Sequence, residues 1–213
     1  MVSPRPNTVV SCPSQGIWAK LERLLQREGL EVLRCYLADD GTFPNNSEYP
    51  SLIFPKVIQY AQQHHASDKS IKVKDQSNLL EQISSTLLSE NGWTDPWAWG
   101  VFTYHHYHST AWEALICIRG SATIQFGGPA GLTVDTSEGD YILIPPGVVH
   151  KQVNARNGFT LLGSYPLETP DVDTLTSSPT KEQLQNIEQC LVPRVDPIFG
   201  TREMSWGHFS SLF

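Results

Sequence analysis

A chain of 213 residues that is 39% hydrophobic and carries six Trp, seven Tyr and eight Phe is long enough to bury a substantial core, which argues against disorder of the whole chain. Fifteen Gly and fifteen Pro imply many turns, favouring one larger all-β domain over a helical bundle. A formal charge of -7 with no basic run argues against a nucleic-acid partner, and no stretch suits a signal peptide or a membrane span, so a cytoplasmic protein with no membrane partner is expected.

In chain order, apolar residues at Ile17, Trp18, Leu21, Leu24 and Leu25 have helical spacing over Ile17 to Glu28, and Gly29 follows as a stop. Leu30 to Leu37 reads as a strand. Asp39-Asp40-Gly41 and Pro44-Asn45-Asn46 are turn chemistry, so these acids and amides receive no catalytic role. Helical regions are expected from Pro55 to His65 and from about Asn78 to Leu88, the latter ending near Asn91-Gly92. From Trp97 to Gly163 the pattern changes to short apolar runs between turns: GVFTY, ALICI, ATIQF, LTVDT, YILIP and TLLGSY. This is antiparallel all-β patterning. After Pro166 a polar linker leads to a short helix over Thr180 to Cys190, with Thr180 or Ser178 near its cap. No internal repeat appears, so one barrel is expected: residues 1–92 as a helical and strand extension packing on it, 93–166 as its core, and 167–213 as linker, short helix and tail. Cys12, Cys35, Cys117 and Cys190 lack paired spacing, which indicates neither a disulfide framework nor a thiolate zinc site.

Two constellations carry chemistry. Gly100, His106, His108, Glu113 and Gly120 follow G-x5-H-x-H-x4-E-x6-G, and Gly139, Pro145, Gly147, His150 and Asn154 follow G-x5-P-x-G-x2-H-x3-N. His106 and His108 lie two apart, so on a strand they share a face with about 7 Å between their Cα atoms. Glu113 can return from the adjoining turn or the next strand, and His150 would face the pair across a barrel. Three imidazoles and one carboxylate suit one divalent Fe, Mn, Ni, Co, Cu or Zn ion, whereas Mg and Ca prefer oxygen-rich shells. The plain alternative makes the histidines strand-capping residues, but four polar groups in two motifs need a common explanation. His105 has the opposite parity and is expected to point away. The same parity puts Phe102 and Tyr104 with His106, and Leu115 and Cys117 with Glu113, on a cavity wall. Tyr104 and Gln152 are the candidate polar pocket groups. The motif glycines and Pro145 are expected to turn strands at barrel corners.

These spacings are those of the two signature motifs of the cupin superfamily, and the chain resembles it. The resemblance implies an all-β core of the RmlC-like kind, a double-stranded β-helix or jelly-roll barrel with flanking N- and C-terminal helices. The stretches DDGTFPNN, NGW, GVFTYHHYHSTAWEALICIRGSA, PPGVVHK, GSYP and VDPIFG are similar to the YjlB-like single-domain cupins from about Leu33 to Gly200. That group commonly carries a His before the motif Glu, whereas Trp112 stands there, which leaves Glu113 to act without it. The resemblance implies a fold and a metal site but no substrate. Because four protein ligands leave open positions on the metal and the pocket is apolar, a metal-dependent enzyme is expected, an oxygenase (including a dioxygenase), lyase or isomerase, acting on a small organic substrate. A non-catalytic small-molecule-binding or structural cupin is the alternative, because fold does not set function. Related cupins commonly pair, so a homodimer is expected.

Overall fold

Period-two apolar runs separated by Gly, Pro and Asp turns build seven strands among the described residues: β1 (Leu33–Leu37), β2 (Asn46–Phe54), β3 (Trp93–Trp99), β4 (Glu113–Phe126), β5 (Leu132–Ser137), β6 (Tyr141–Ile144) and β7 (His150–Pro166). All pairings are antiparallel, in the order β1-β2-β6-β4-β7-β3, with β5 also on β4. The structure, a computed structural model, describes residues 31–58, 79–169 and 171–200. The helix expected over Ile17 to Glu28 lies outside them, as does most of the one expected from Pro55 to His65.

Strand parity divides the core. Leu115 and Cys117 of β4, Ile142 and Ile144 of β6, Ile53 of β2 and Leu161 of β7 pack into one cluster. Their neighbours Ala114, Ile116, Tyr141, Leu143, Leu52, Phe54 and Leu162 turn to the other face and pack into a second. Helix α1 (Leu79–Glu90) covers that second face with Ile83, Leu87 and Leu88, and the chain stops being helical before Gly92 at φ +72°. Because both faces are covered, β6 is buried at all four positions and reads as a continuous apolar run. Helix α2 (Lys181–Gln189) begins at Thr180 with a capping box: the Gln183 N–H donates to Thr180 Oγ1, and the Thr180 N–H donates to the Gln183 side chain.

Two differences from the sequence expectation have physical causes. Residues 100–104 are not a strand. Their backbone meets β7 at an isolated point, where Gln152 N donates to Phe102 O at 2.8 Å, and just beyond them His106 exchanges two hydrogen bonds with His150. Residues 114–118 and 122–126 form one bent strand rather than two, with the bend at Gly120, φ +67°, where a Cβ would lie 2.4 Å from the Arg156 carbonyl oxygen. Strands β1 and β2 join the main sheet through the β2–β6 pairing. Among the described residues, no helix is long and apolar enough to cross a membrane.

Candidate metal centre

The histidines are positioned by backbone. His106 and His150 hydrogen-bond to each other's main chain in both directions, at 3.1 and 2.9 Å, and Gly147 N donates to His108 O at 2.8 Å. The turn at Pro145 to Gly147 is thereby tied to the segment that carries His106 and His108. Asn45 and Asn46, which the sequence marks as turn residues, are buried and hold the same turn from behind. Asn45 Oδ1 accepts the Val149 N–H at 3.1 Å, and Asn46 Nδ2 donates to Pro146 O at 3.0 Å. Glu113 opens β4 opposite Ile144 of β6.

These placements bring His106, His108, Glu113 and His150 together, each no more than 6% exposed. One ring nitrogen from each histidine lies within 4.8 Å of those of the other two. Glu113 Oε2 is 3.2 Å from His150 Nε2 and 3.7 Å from His108 Nε2. The opposite ring nitrogens are committed. Nδ1 of His106 donates to Tyr104 O at 3.3 Å, Nδ1 of His150 donates to Val148 O at 3.1 Å, and Nδ1 of His108 donates to Asp173 O. In its neutral form each imidazole would therefore carry its proton on Nδ1 and its lone pair on Nε2. Lone pairs cannot satisfy a carboxylate, and Glu113 Oε2 and His108 Nε2 are indeed buried without a hydrogen-bond partner. The three histidine nitrogens could hold a divalent cation, with the Glu113 carboxylate beside them.

The electrostatics agree. Burial, followed by the facing imidazole of His150, lowers the His106 pKa to about 3, so its ring is neutral and able to ligate. Burial raises the Glu113 carboxyl, but attraction to positive charge placed among His108, His150 and His106 outweighs it and holds the group down near 2, the shift expected of a carboxylate that faces a cation site. His105 stands apart, its Nε2 3.2 Å from Gln125 Oε1 and its ring against Phe43.

Beside the four side chains is a cavity of about 500 Å³. Phe102 and Leu115 line it as parity predicts, but Tyr104, Gln152 and Cys117 do not. Tyr104 is 48% exposed and stacks on Phe102, because strand alternation does not apply to the irregular stretch 100–104. Gln152 is half-buried behind Gly100, its Oε1 3.2 Å from where a Cβ on that glycine would stand. Cys117 is buried in the core, with its Sγ toward the Arg119 carbonyl. Trp112, where the resembled group carries a His, packs edge-on to Tyr49 in the cluster on the other face and does not line the cavity.

Three lining or supporting residues were missed from the sequence. Tyr165 of β7 donates from its hydroxyl to Glu113 Oε1 at 3.3 Å and sets its ring edge-on to His108 at 5.5 Å. Burial and the Glu113 carboxylate raise its pKa, keeping it a donor. Thr174 lines the cavity from the segment after β7, and its neighbour Asp173 holds His108. The ladder was the missing signal: Ala114 pairs with Ser164 and Leu115 with Gly163, which sets Glu113 opposite Tyr165.

A family model described as Cupin domain matches residues 99–161. The uncharacterized protein YjlB of Bacillus subtilis (strain 168) is 34% identical over 174 residues, covering 81% of this chain and 93% of that one. Among solved structures, an acireductone dioxygenase from Bacillus anthracis with a cadmium ion in its active center matches at 15% identity and a TM-score of 0.36, over 73% of this chain and 89% of that chain. The 11S allergen from Cocos nucifera L. matches at 15% identity and a TM-score of 0.31, over 37% of this chain and only 23% of that one. Identity to the Bacillus subtilis protein runs through nearly the whole of that protein, and the domain match spans the strands around the four clustered side chains: the chain belongs to the cupin superfamily and, within it, to the YjlB-like cupins.

Proposed function

We propose that this cupin holds one divalent transition-metal ion (Fe, Mn, Ni, Co, Cu or Zn) on His106, His108, Glu113 and His150, and that it is a metal-dependent enzyme acting on a small organic substrate in the adjoining cavity. Support comes above all from two atoms, His108 Nε2 and Glu113 Oε2, which are buried, face each other at 3.7 Å and lack any hydrogen-bond partner. When bound, such an ion supplies Lewis-acid polarisation of a substrate oxygen or, with a redox-active metal, activation of O2; oxygenase (including dioxygenase), lyase and isomerase chemistry all fall in its range. The protein's own share is positional. Carbonyl acceptors orient three imidazoles, Tyr165 holds Glu113 Oε1, and the adjoining cavity gives a substrate room beside them.

The test is elemental analysis of protein purified without a nickel column. About one ion per chain is expected in the wild type, with strong loss in His108→Ala and His150→Ala. His105→Ala should keep its metal, because that ring is engaged with Gln125. Binding needs neutral imidazoles, so affinity should fall on acidification. A wild type that carries no metal and takes none up would overturn the proposal. A metal-loaded chain that binds small molecules and turns none over would favour a non-catalytic binding module. We also assign the chain to a cytoplasmic homodimer with residues 93–166 as barrel core, 1–92 as the extension packed on it and 167–213 as linker, short helix and tail; light scattering that finds a monomer at micromolar concentration would overturn the dimer.

A further inference from the structure

We propose that the ligand of this cavity is a small uncharged molecule with a flat aromatic body and one oxygen-bearing polar head, the head meeting the metal and the body lying on an aromatic wall; this rests on the metal reading above. The wall comes first. Trp97, Trp99, Val101, Phe102 and Leu115 line the cavity, and the Phe102 ring stands edge-on to His106 with the centroids 5.0 Å apart, so apolar surface begins within one ring's width of the ligating groups. Trp99 is 70% and Phe102 44% exposed, large apolar surfaces left in water where the cavity meets solvent.

The seat of Trp97 is built into the sheet. Gly163 pairs with Trp97 across β3 and β7, and a Cβ on it would lie 2.2, 2.5 and 2.6 Å from three atoms of the indole. Glycine weakens a strand interior, so its presence in mid-strand makes sense as room for a ring laid on the backbone. Gly163 also pairs with Leu115, which makes these two wall residues neighbours across one strand.

Charge supplies the second half. Among the described residues, no Lys or Arg lines the cavity. Apart from the four proposed ligands, its side-chain polar groups are the Thr174 hydroxyl, the Trp97 and Trp99 indoles and the Tyr165 hydroxyl, and the last already donates to Glu113. A carboxylate or phosphate tail placed here would find no Lys or Arg among the described lining residues to pair it, on a chain whose net charge is -7. A cavity of about 500 Å³ suits a single ring with its substituents.

Three hydroxamic acids that share one metal-binding head test this: benzohydroxamic acid, acetohydroxamic acid and the monohydroxamate of succinic acid, each titrated into cobalt-loaded protein at pH 7 while the visible cobalt bands are followed. Wild type should bind the phenyl compound at least about tenfold more tightly than the methyl compound, and the carboxylate compound more weakly than either. In Phe102→Ala and Trp97→Ala, with cobalt content checked, the phenyl-to-methyl ratio should fall to about threefold or less. Cobalt uptake with a wild-type ratio near one, or with the carboxylate compound binding tightest, overturns this inference alone. A chain that takes up no cobalt overturns it together with the metal reading beneath it.

Discussion

The backbone carbonyl of Asp173 accepts the Nδ1–H of His108, while its carboxylate takes the backbone N–H of Ser109 at 2.7 Å and the Ser109 hydroxyl. One residue of the segment after β7 therefore sets the ring plane of His108 and pins the main chain beside it. Asp173→Ala keeps the carbonyl but releases its anchor, so cobalt should bind roughly tenfold more weakly. Titration of the visible cobalt bands measures this. Wild-type affinity in the variant would show that the carbonyl stays in place without the carboxylate.

Acid should destabilise the metal-free protein. His106 has its pKa lowered to about 3 by burial and the neighbouring imidazole of His150, whereas an unfolded histidine titrates near 6.5. Between those values the unfolded chain binds a proton that the folded chain refuses, so stability rises with pH there and is lost on acidification from about 6.5. Glu113 acts in the same direction at lower pH: its carboxyl lies near 2, so the stability it contributes is present above the ordinary carboxylate range and lost as pH falls toward 2. The urea midpoint in chelator should decline from pH 7 to pH 5, and His106→Gln should make the decline shallower. An unchanged slope in the variant would assign the effect to other groups.

Burial pushes the thiol of Cys35 to about 11, that of Cys117 to about 12 and that of Cys190 to about 11. All three are free cysteines, yet almost none of the reactive thiolate is present at neutral pH. Iodoacetamide at pH 7.5 should leave them unlabelled in the native protein and label all three in urea, as read by peptide mass. Rapid native labelling of Cys117 would mean that β4 opens locally.

Gly163→Ala drives a Cβ into the Trp97 indole, with three contacts of 2.6 Å or less. Neither backbone partner of β7 can give way without breaking its ladder, so the ring must move. The expected cost is about 1–3 kcal/mol in urea unfolding, with a shift in tryptophan emission. A variant as stable as wild type would show that the Trp97 ring moves aside freely.

What the residues alone determined about this cupin depends on short range. The two-residue period set His106 and His108 on one face and His105 off it, because successive side chains of extended backbone alternate. Thr180, one of the two cap candidates with Ser178, marked the start of α2, and Asn91-Gly92 marked the end of α1, since caps are satisfied within one turn. Tertiary structure decided whether local alternation survives. Residues 100–104 alternate like a strand, yet they lack a continuous partner, and Tyr104 turns out to solvent. Register shifts along the β4–β7 ladder change the parity of β7, so Tyr165, an odd number of residues after His150, still reaches Glu113. Asn45 bonding to Val149, β2 pairing with β6 and Asp173 holding His108 join positions far apart in the chain. Such partners leave no mark in local spacing, because each is selected by which backbone groups the packed sheet leaves to be satisfied.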